Sequence, residues 1–353
     1  MKQSGVFGNP PMSFIEIGGI SHRNRREFVR RLSALAGLGL LGYGLRLAAA
    51  EPPPETTKIR LAAVPAICFA PQYLAEALLR AEGFTEIQYS KLEGTPAGFQ
   101  HLLLSDISME AVGPAITFLD AGQPMVVMAG VHLGCYELFG SQRVRAIRDL
   151  KGKRVPIDGF GGGQHVFLSS MASYVGMDPS KDIDWIVSKT SADSMQLFVE
   201  AKADAFLGFP PEPQELRRRR VGHVVVNTAF DPPWSEYYCC TLTVNRDFAA
   251  KPPIATKRAL RAILKAADLC AEQPERSARA IVDGGFSQSY EFTLETLKEV
   301  RYNAWRTYNP ENTIRFHALR LREGGIIKSD PNKLIAQGTD WRFLNELRKE
   351  LKT

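Results

Sequence analysis

Five cysteines among 353 residues (Cys68, Cys135, Cys239, Cys240 and Cys270), an odd number without C-x-x-C spacing, signal neither a disulfide framework nor a ribbon-type zinc site. The histidines His101, His132, His165, His223 and His317 form no i, i+4 pair, so no helical metal motif is spelled out and no metal ligand is assigned. A G-x-S-x-G nucleophile turn is missing, which leaves a hydrolase unsupported. Internal repeats and low-complexity tracts are also missing. Excess charge is local: residues 1–50 carry a net +5 of the formal +6, leaving +1 for residues 51–353. A nucleic-acid surface is therefore not implied. Beyond residue 50 no run approaches the ~20 apolar residues of a membrane span.

What is present begins with an address. Arg25 and Arg26 precede a mildly apolar, glycine-rich run from Leu32 to Leu47, and Ala48-Ala49-Ala50 supplies small residues before Glu51-Pro52-Pro53-Pro54. This is the layout of an export signal, and the paired arginines match the twin-arginine type. The expectation is a signal segment over 1–50, starting at Met1 or Met12 and cleaved after about Ala50, then a linker over 51–57. That route exports folded protein, so the cysteines need not pair.

Strand-like and helix-like segments then alternate. Strands are expected at Lys58–Val64, Glu86–Lys91, Ile107–Ala111 and Met125–Ala129, with helices over Gln72–Arg80, Phe99–Leu104 and Ala115–Ala121 between them. Further strands follow at Asp184–Val187, Ala203–Gly208, His223–Asn227 and Tyr237–Asn245, and the chain turns helical from Pro253. Such alternation predicts a largely parallel α/β sheet with functional loops at the strand ends. The basic run Arg217–Arg220 reads as a solvated helix end.

The stretch Asp149–Pro179 is distinctive. A short strand, Lys153–Asp158, contains Pro156, which removes a ladder donor and implies an edge or a strand end. Gly159-Phe160-Gly161-Gly162-Gly163 then frees the backbone ahead of a helix whose apolar residues Val166, Phe167, Met171, Tyr174 and Val175 recur at helical spacing. A glycine loop entering a helix presents backbone N–H groups to a polar or anionic group. GFGGGQ fits neither G-x-G-x-x-G nor a P-loop, which argues against a nucleotide.

The succession Gly94-Thr95-Pro96-Ala97-Gly98, Leu104-Ser105-Asp106-Ile107-Ser108, Ala121-Gly122-Gln123-Pro124-Met125-Val126-Val127, Asp149-Leu150-Lys151-Gly152-Lys153-Arg154-Val155 and Ala201-Lys202-Ala203-Asp204-Ala205 resembles periplasmic solute-binding proteins of ABC importers. The nearest group is the nitrate/sulfonate/taurine type, which shares its fold with the thiamine-pyrimidine synthase family. The resemblance implies a two-lobed α/β periplasmic-binding-protein fold (type II), each lobe a mainly parallel sheet flanked by helices, with two hinge crossings. Lobe 1 is expected over 58–152, lobe 2 over 153–240, and the return to lobe 1 with the C-terminal helices over 241–353. Lys151 and Lys153 would mark one hinge, Cys240 and Val244 the other.

The resemblance further implies a ligand cleft lined by Ile67, Cys68, Phe69, Gly94, Thr95, Gly113, Pro114 and His132 from one side, and Gly161, Gly162, Gly163, Gln164, His165, Phe209 and Glu212 from the other. Backbone N–H groups at Gly163–His165 would take a polar head, His132 and His165 would donate hydrogen bonds, and Phe69 and Phe209 would supply apolar walls. These loops carry no arginine, so the expected ligand is a small organic solute with an apolar or aromatic body and a polar end. The implied role is a non-catalytic periplasmic protein without cofactor, a monomer, whose partners are the solute, an inner-membrane ABC permease and, during export, the twin-arginine translocase. Two alternatives remain: a pyrimidine-forming enzyme of the same fold, which would carry a cysteine-rich iron-associated cluster and a sacrificial histidine, or a ligand sensor without its own importer.

Overall fold

The alternating segments build two sheets of similar design in a computed structural model that describes residues 51–64, 66–90 and 104–352. The expected export segment, the helix over 99–103, Gly94 and Thr95 lie outside those residues. Ten strands are described: β1 Lys58–Ala62, β2 Glu86–Ser90, β3 Ile107–Ala111, β4 Met125–Leu133, β5 Glu137–Gly140, β6 Lys153–Ile157, β7 Ile183–Val187, β8 Ala205–Gly208, β9 His223–Asn227 and β10 Tyr238–Asn245.

The helices between strands are α1 Ala70–Leu74, α2 Glu76–Ala81, α3 Val112–Asp120, α4 Gly163–Tyr174, α5 Ser191–Val199 and α6 Glu212–Arg219. After β10 come α7 Arg246–Ala250, α8 Pro253–Glu272, α9 Pro274–Asp283, α10 Tyr290–Glu299, α11 Pro310–Glu323, α12 Pro331–Gly338 and α13 Arg342–Glu350. Local chemistry starts several of them: Pro253 and Pro310 open α8 and α11, and the Asn309 side chain accepts from the Glu311 amide.

The first sheet has the order β2-β1-β3-β10-β4. β1 runs parallel to β2 and β3, and β10 runs antiparallel to both β3 and β4. All nine residues of β4 are buried although it ends the strand order. The turn Tyr302–Arg306, α12 and α13 cover that edge, with bridges Val127–Thr339 and Leu133–Arg301, so no open ladder faces solvent there. The second group places β5 antiparallel between β8 and β9, and β6 parallel to β7. β6 and β8 meet through the Asp204 amide, which donates to the Arg154 carbonyl. Pro156 is the fourth of five residues in β6, which forms a ladder with β7 alone, so the proline sits in a strand with one laddered side and near its end.

Two side-chain devices recur in both halves. The Arg60 amide donates to Asp106 Oδ2 at 2.8 Å while its guanidinium holds the same carboxylate, and the Asp106 amide returns a bond to the Arg60 carbonyl. Arg154 and Asp204 repeat this: amide to Oδ2 at 3.0 Å, Nε to Oδ2 at 3.2 Å, and the return bond. Buried Gln72 of α1 binds the Ala62 carbonyl at 2.5 Å and the Met109 amide at 2.7 Å, tying β1 to β3. Gln164 of α4 binds the Asp158 amide at 3.2 Å and the Leu207 carbonyl at 2.8 Å, tying β6 to β8. An internal repeat thus exists in topology and in these pairs, below what sequence periodicity reveals.

The main core includes the fully buried Trp305, Tyr302 and Phe84, while Tyr238 packs with Leu133 and Ala304 in a smaller cluster. α8 packs on α1 and α2, and α11 packs on α4. Arg217 is not a solvated helix end: it pairs with Glu137, Glu295 and Glu299, and Arg218 lies 4.3 Å over the Phe292 ring. No described helix is long and apolar enough to cross a membrane.

The chain passes between sheets earlier than the resemblance implied. β5 already pairs with β8 and β9, so the first passage is Gly134–Tyr136, and Lys151 and Lys153 sit beyond it at the start of β6. The second passage is 228–237; Cys240 and Val244 are paired inside β10. The two passages touch. Gly134 has φ +38°, and a Cβ there would come within 2.2 Å of the Thr228 carbonyl oxygen. Gly134→Ala is therefore expected to cost about 3 kcal/mol in urea unfolding through backbone overpacking. Gly152→Ala, at φ +68° with nothing within 4 Å, should cost only about 1–2 kcal/mol. Equal losses would mean that the two passages are not in steric contact.

Candidate functional site

The loops at the carboxyl ends of β1, β3, β4, β6 and β8 converge around the two passages. Gly113 in the first turn of α3 meets α4: a Cβ there would lie 2.9 Å from Val166 Cγ1. A Cβ on Gly163 would lie 2.5 Å from Tyr136 Oη, so the first passage lays its tyrosine against the start of α4. Tyr136 stacks on Phe167 at 4.7 Å and meets the Phe209 ring edge-on at 6.0 Å.

On the second-sheet side the glycine loop behaves as a loop-to-helix turn. Gly161 takes φ +84°, and its amide donates to His165 Nδ1 at 3.1 Å. Gly162 caps α4 without a side-chain hydrogen bond. The Gln164 side chain is committed to the clamp and to Ser191 Oγ, leaving only its backbone for a ligand. Burial between the Phe160 and Trp185 rings lowers His165 to about 4, so it is neutral at physiological pH. With Nδ1 accepting, its Nε2 carries the proton.

Glu212 is buried at the start of α6 and accepts from the Phe209 amide at 3.1 Å. Desolvation pushes its carboxyl up to about 8, so it is mostly protonated at neutral pH and does not repel an anion. Burial also raises Asp158, whose Oδ1 has no partner. This wall therefore presents the neutral Glu212 and His165, the Asp158 carboxyl and aromatic faces, and the described loops after β1, β3, β4, β6 and β8 hold no arginine.

On the first-sheet side the expected residues divide. Phe69 packs in the main core and Ile67 is buried beside it in the chain. Gly113 and Pro114 are buried in the α3–α4 contact. Cys68 and His132 belong to a group the sequence did not reveal. One sulfur or nitrogen from each of Cys68, His132, Cys135 and Cys240 lies within 4.8 Å of the others, and all four residues are buried. Cys239 joins at the side, its Sγ 3.0 Å from that of Cys135.

These residues come from the turn after β1, the end of β4, the first passage and the start of β10, so no local spacing announces them. Neighbouring strand residues ordinarily point to opposite faces, yet Cys239 and Cys240 both reach Cys135. The irregular register of β10 against β4 from Tyr238 to Thr241 re-aims them. His132 Nδ1 faces the Leu133 carbonyl at 3.4 Å, and its buried Nε2 lacks a well-aligned hydrogen bond, with the Cys68 thiol as the polar group that interacts with the ring. A buried nitrogen without a good hydrogen bond costs about 1–3 kcal/mol, so its placement calls for an account. Hydrogen bonding from Cys135 pulls the Cys68 thiol well below its ordinary range, while burial pushes Cys135 and Cys240 well above theirs.

A surface depression of about 680 Å³ opens elsewhere, between α3 and α12. Its Asp120 already accepts from the Lys328 and Ser329 amides, and nothing there converges as the cluster does.

Residues 113–277 match the NMT1/THI5-like family model. No curated protein sequence matches the chain. Among solved structures, the periplasmic nitrate-binding protein NrtA from Synechocystis PCC 6803 is similar with a TM-score of 0.67 at 16% identity, over 85% of this chain and 90% of that one. The alkanesulfonate-binding protein SsuA from Xanthomonas axonopodis, bound to MOPS, gives 0.62 at 17%, over 83% and 100%. A zinc-bound ligand-binding component of an ABC-type import system from Staphylococcus aureus gives 0.66 at 12%, over 83% and 99%. The chain has the periplasmic-binding-protein fold, two-lobed and α/β.

The raised carboxyl has a checkable consequence. Its folded pKa of about 8 exceeds the ordinary 4.5, so the folded state binds the extra proton, and stability present below pH 4.5 is lost as pH rises to about 8. His165, at about 4 against 6.5, works oppositely, losing stability as pH falls through that window. Glu212→Gln keeps an acceptor for the Phe209 amide and removes only the first contribution. Denaturant titrations should show the variant gaining on the wild type from pH 4.5 to pH 8, and parallel profiles would place Glu212 in water.

Proposed function

We propose that the protein is an exported solute-binding protein of an ABC importer, closing two lobes around a small organic ligand and presenting it to a membrane permease. One observation carries the reading: strand-end loops of two similar sheets meet at paired passages, around a wall of neutral Glu212, neutral His165 and the Tyr136 and Phe209 rings. Closure is a hinge motion at Gly134–Tyr136 and 228–237, and ligand binding shifts the population toward the closed form. Without arginine in the described loops, the wall suits a ligand with an aromatic or apolar body and an uncharged polar end. It suits the nitrate and alkanesulfonate named for the similar structures less well. The lobe boundaries follow the passages, with residues 58–133 and 238–352 in one lobe and 137–227 in the other.

Differential scanning of the mature protein against small acids, amides, pyrimidines and aromatic acids should give an upward shift with the amide or aromatic members. Phe209→Ala should weaken that ligand about tenfold, roughly the loss of one aromatic wall. A flat response across the whole panel removes the support for solute capture. Export through the twin-arginine translocase, and monomeric function in the periplasm, complete the reading. Arg25→Lys with Arg26→Lys should leave the full chain in the cytoplasm, whereas undiminished periplasmic accumulation would assign another route.

A second reading has one specific observation behind it. The cysteines and His132 do converge, as a pyrimidine-forming enzyme of this fold with its cysteine-rich cluster would need. Release of a pyrimidine product by the purified protein would favour it over transport.

A further inference from the structure

We propose that Cys68, His132, Cys135 and Cys240 form a closed binding site for one thiophilic metal ion of the zinc(II) or copper(I) class, with Cys239 as a flanking fifth sulfur. The inference is independent of the organic-solute reading. Three thiolates and an imidazole are a soft-to-borderline donor set, which selects such ions over magnesium or calcium. Tetrahedral coordination with metal–sulfur distances of about 2.3 Å separates sulfurs by about 3.8 Å. The four donor atoms lie within 4.8 Å of one another, inside the range that small side-chain rotations bring to that geometry.

His132 supplies the independent sign. Its Nδ1 faces the Leu133 carbonyl, the usual outer partner of a metal-bound imidazole, and its buried Nε2 makes no well-aligned hydrogen bond, its polar surroundings being the cluster's own sulfurs. Simple packing of cysteines as small apolar residues accounts for Cys270, buried alone in α8. It does not account for four of the five cysteines gathering from three segments of chain around an imidazole nitrogen that makes no well-aligned hydrogen bond.

Position gives the site its consequence. His132 is the next-to-last residue of β4, Cys135 lies in the first passage and Cys240 follows the second, so an ion held there ties both interlobe connections to the turn after β1. Each binding thiol loses a proton, so uptake releases protons and weakens as pH falls.

The test is titration of reduced, folded mature protein with Co²⁺ under anaerobic conditions, then competition by Zn²⁺ and Cu⁺. One equivalent should bind with thiolate-to-cobalt charge-transfer absorption and tetrahedral visible bands, and Zn²⁺ should displace it. Cys68→Ser and His132→Ala should each lower affinity at least about tenfold, while Cys270→Ala leaves it unchanged. Near-ultraviolet circular dichroism identifies any variant that has unfolded, and for such a variant the milder Cys240→Ser or His132→Gln replaces it. Absence of a charge-transfer band in the folded wild type, or binding unchanged in folded ligand variants, overturns the site. So does a Cys135–Cys239 disulfide, seen by intact mass, whose reduction restores no metal uptake.

Discussion

The constraint on which the architecture depends is the exchange of one strand at each passage. β4 ends the first sheet and β5 enters the second antiparallel to its neighbours; β9 ends the second and β10 returns antiparallel between β3 and β4. Each sheet is completed by the strand that follows a passage. The half built from β5 to β9 is one continuous stretch of chain, whereas the first sheet is finished only when β10 returns between β3 and β4, so the two connections run side by side. Gly134 against the Thr228 backbone is the point of closest approach, and only a residue without a side chain fits it.

That arrangement fixes the electrostatics of the gap. Strand ends, two helix starts and both passages crowd together, so polar groups there lose water without gaining counter-ions. Glu212 responds by holding its proton and His165 by shedding one, so neither adds a charge to the lining at neutral pH. Charge is dealt with at the periphery instead. Arg217 joins α6 to Glu295 and Glu299 of α10, away from the lining but across elements that any opening motion would have to separate.

Much of this was legible in the residues. β3 and β9 begin and end where alternation and flanking turn residues put them, and the glycine loop does enter α4 at Gly163. β5 escaped notice because Glu137–Gly140 is short and contains no β-branched residue, so its pairing is decided by β8 and β9 rather than by propensity. The passages were misplaced for the same reason: Lys151-Gly152-Lys153 has the composition of a hinge, but the strand that determines the crossing precedes it. Gln164 illustrates a different limit. Its place after the glycine loop was correct, while its side chain turned out to be a strut between β6 and β8, like Gln72 in the other half.

The sulfur group was illegible for a topological reason that also bears on its meaning. Sequence patterns reveal clustered donors when one turn or hairpin carries two of them; here they come from the turn after β1, the end of β4, the first passage and the start of β10, brought together only by strand order. β10 lies between β3 and β4, so Cys240 faces Ala111 on one side and His132 on the other. Cys135 then arrives on the outgoing passage and Cys68 on the turn after β1. A set assembled this way forms only when β10 is seated against β4 and the first passage is in place. Its geometry is thus a property of the connection between the two sheets, where β4, the first passage and β10 meet.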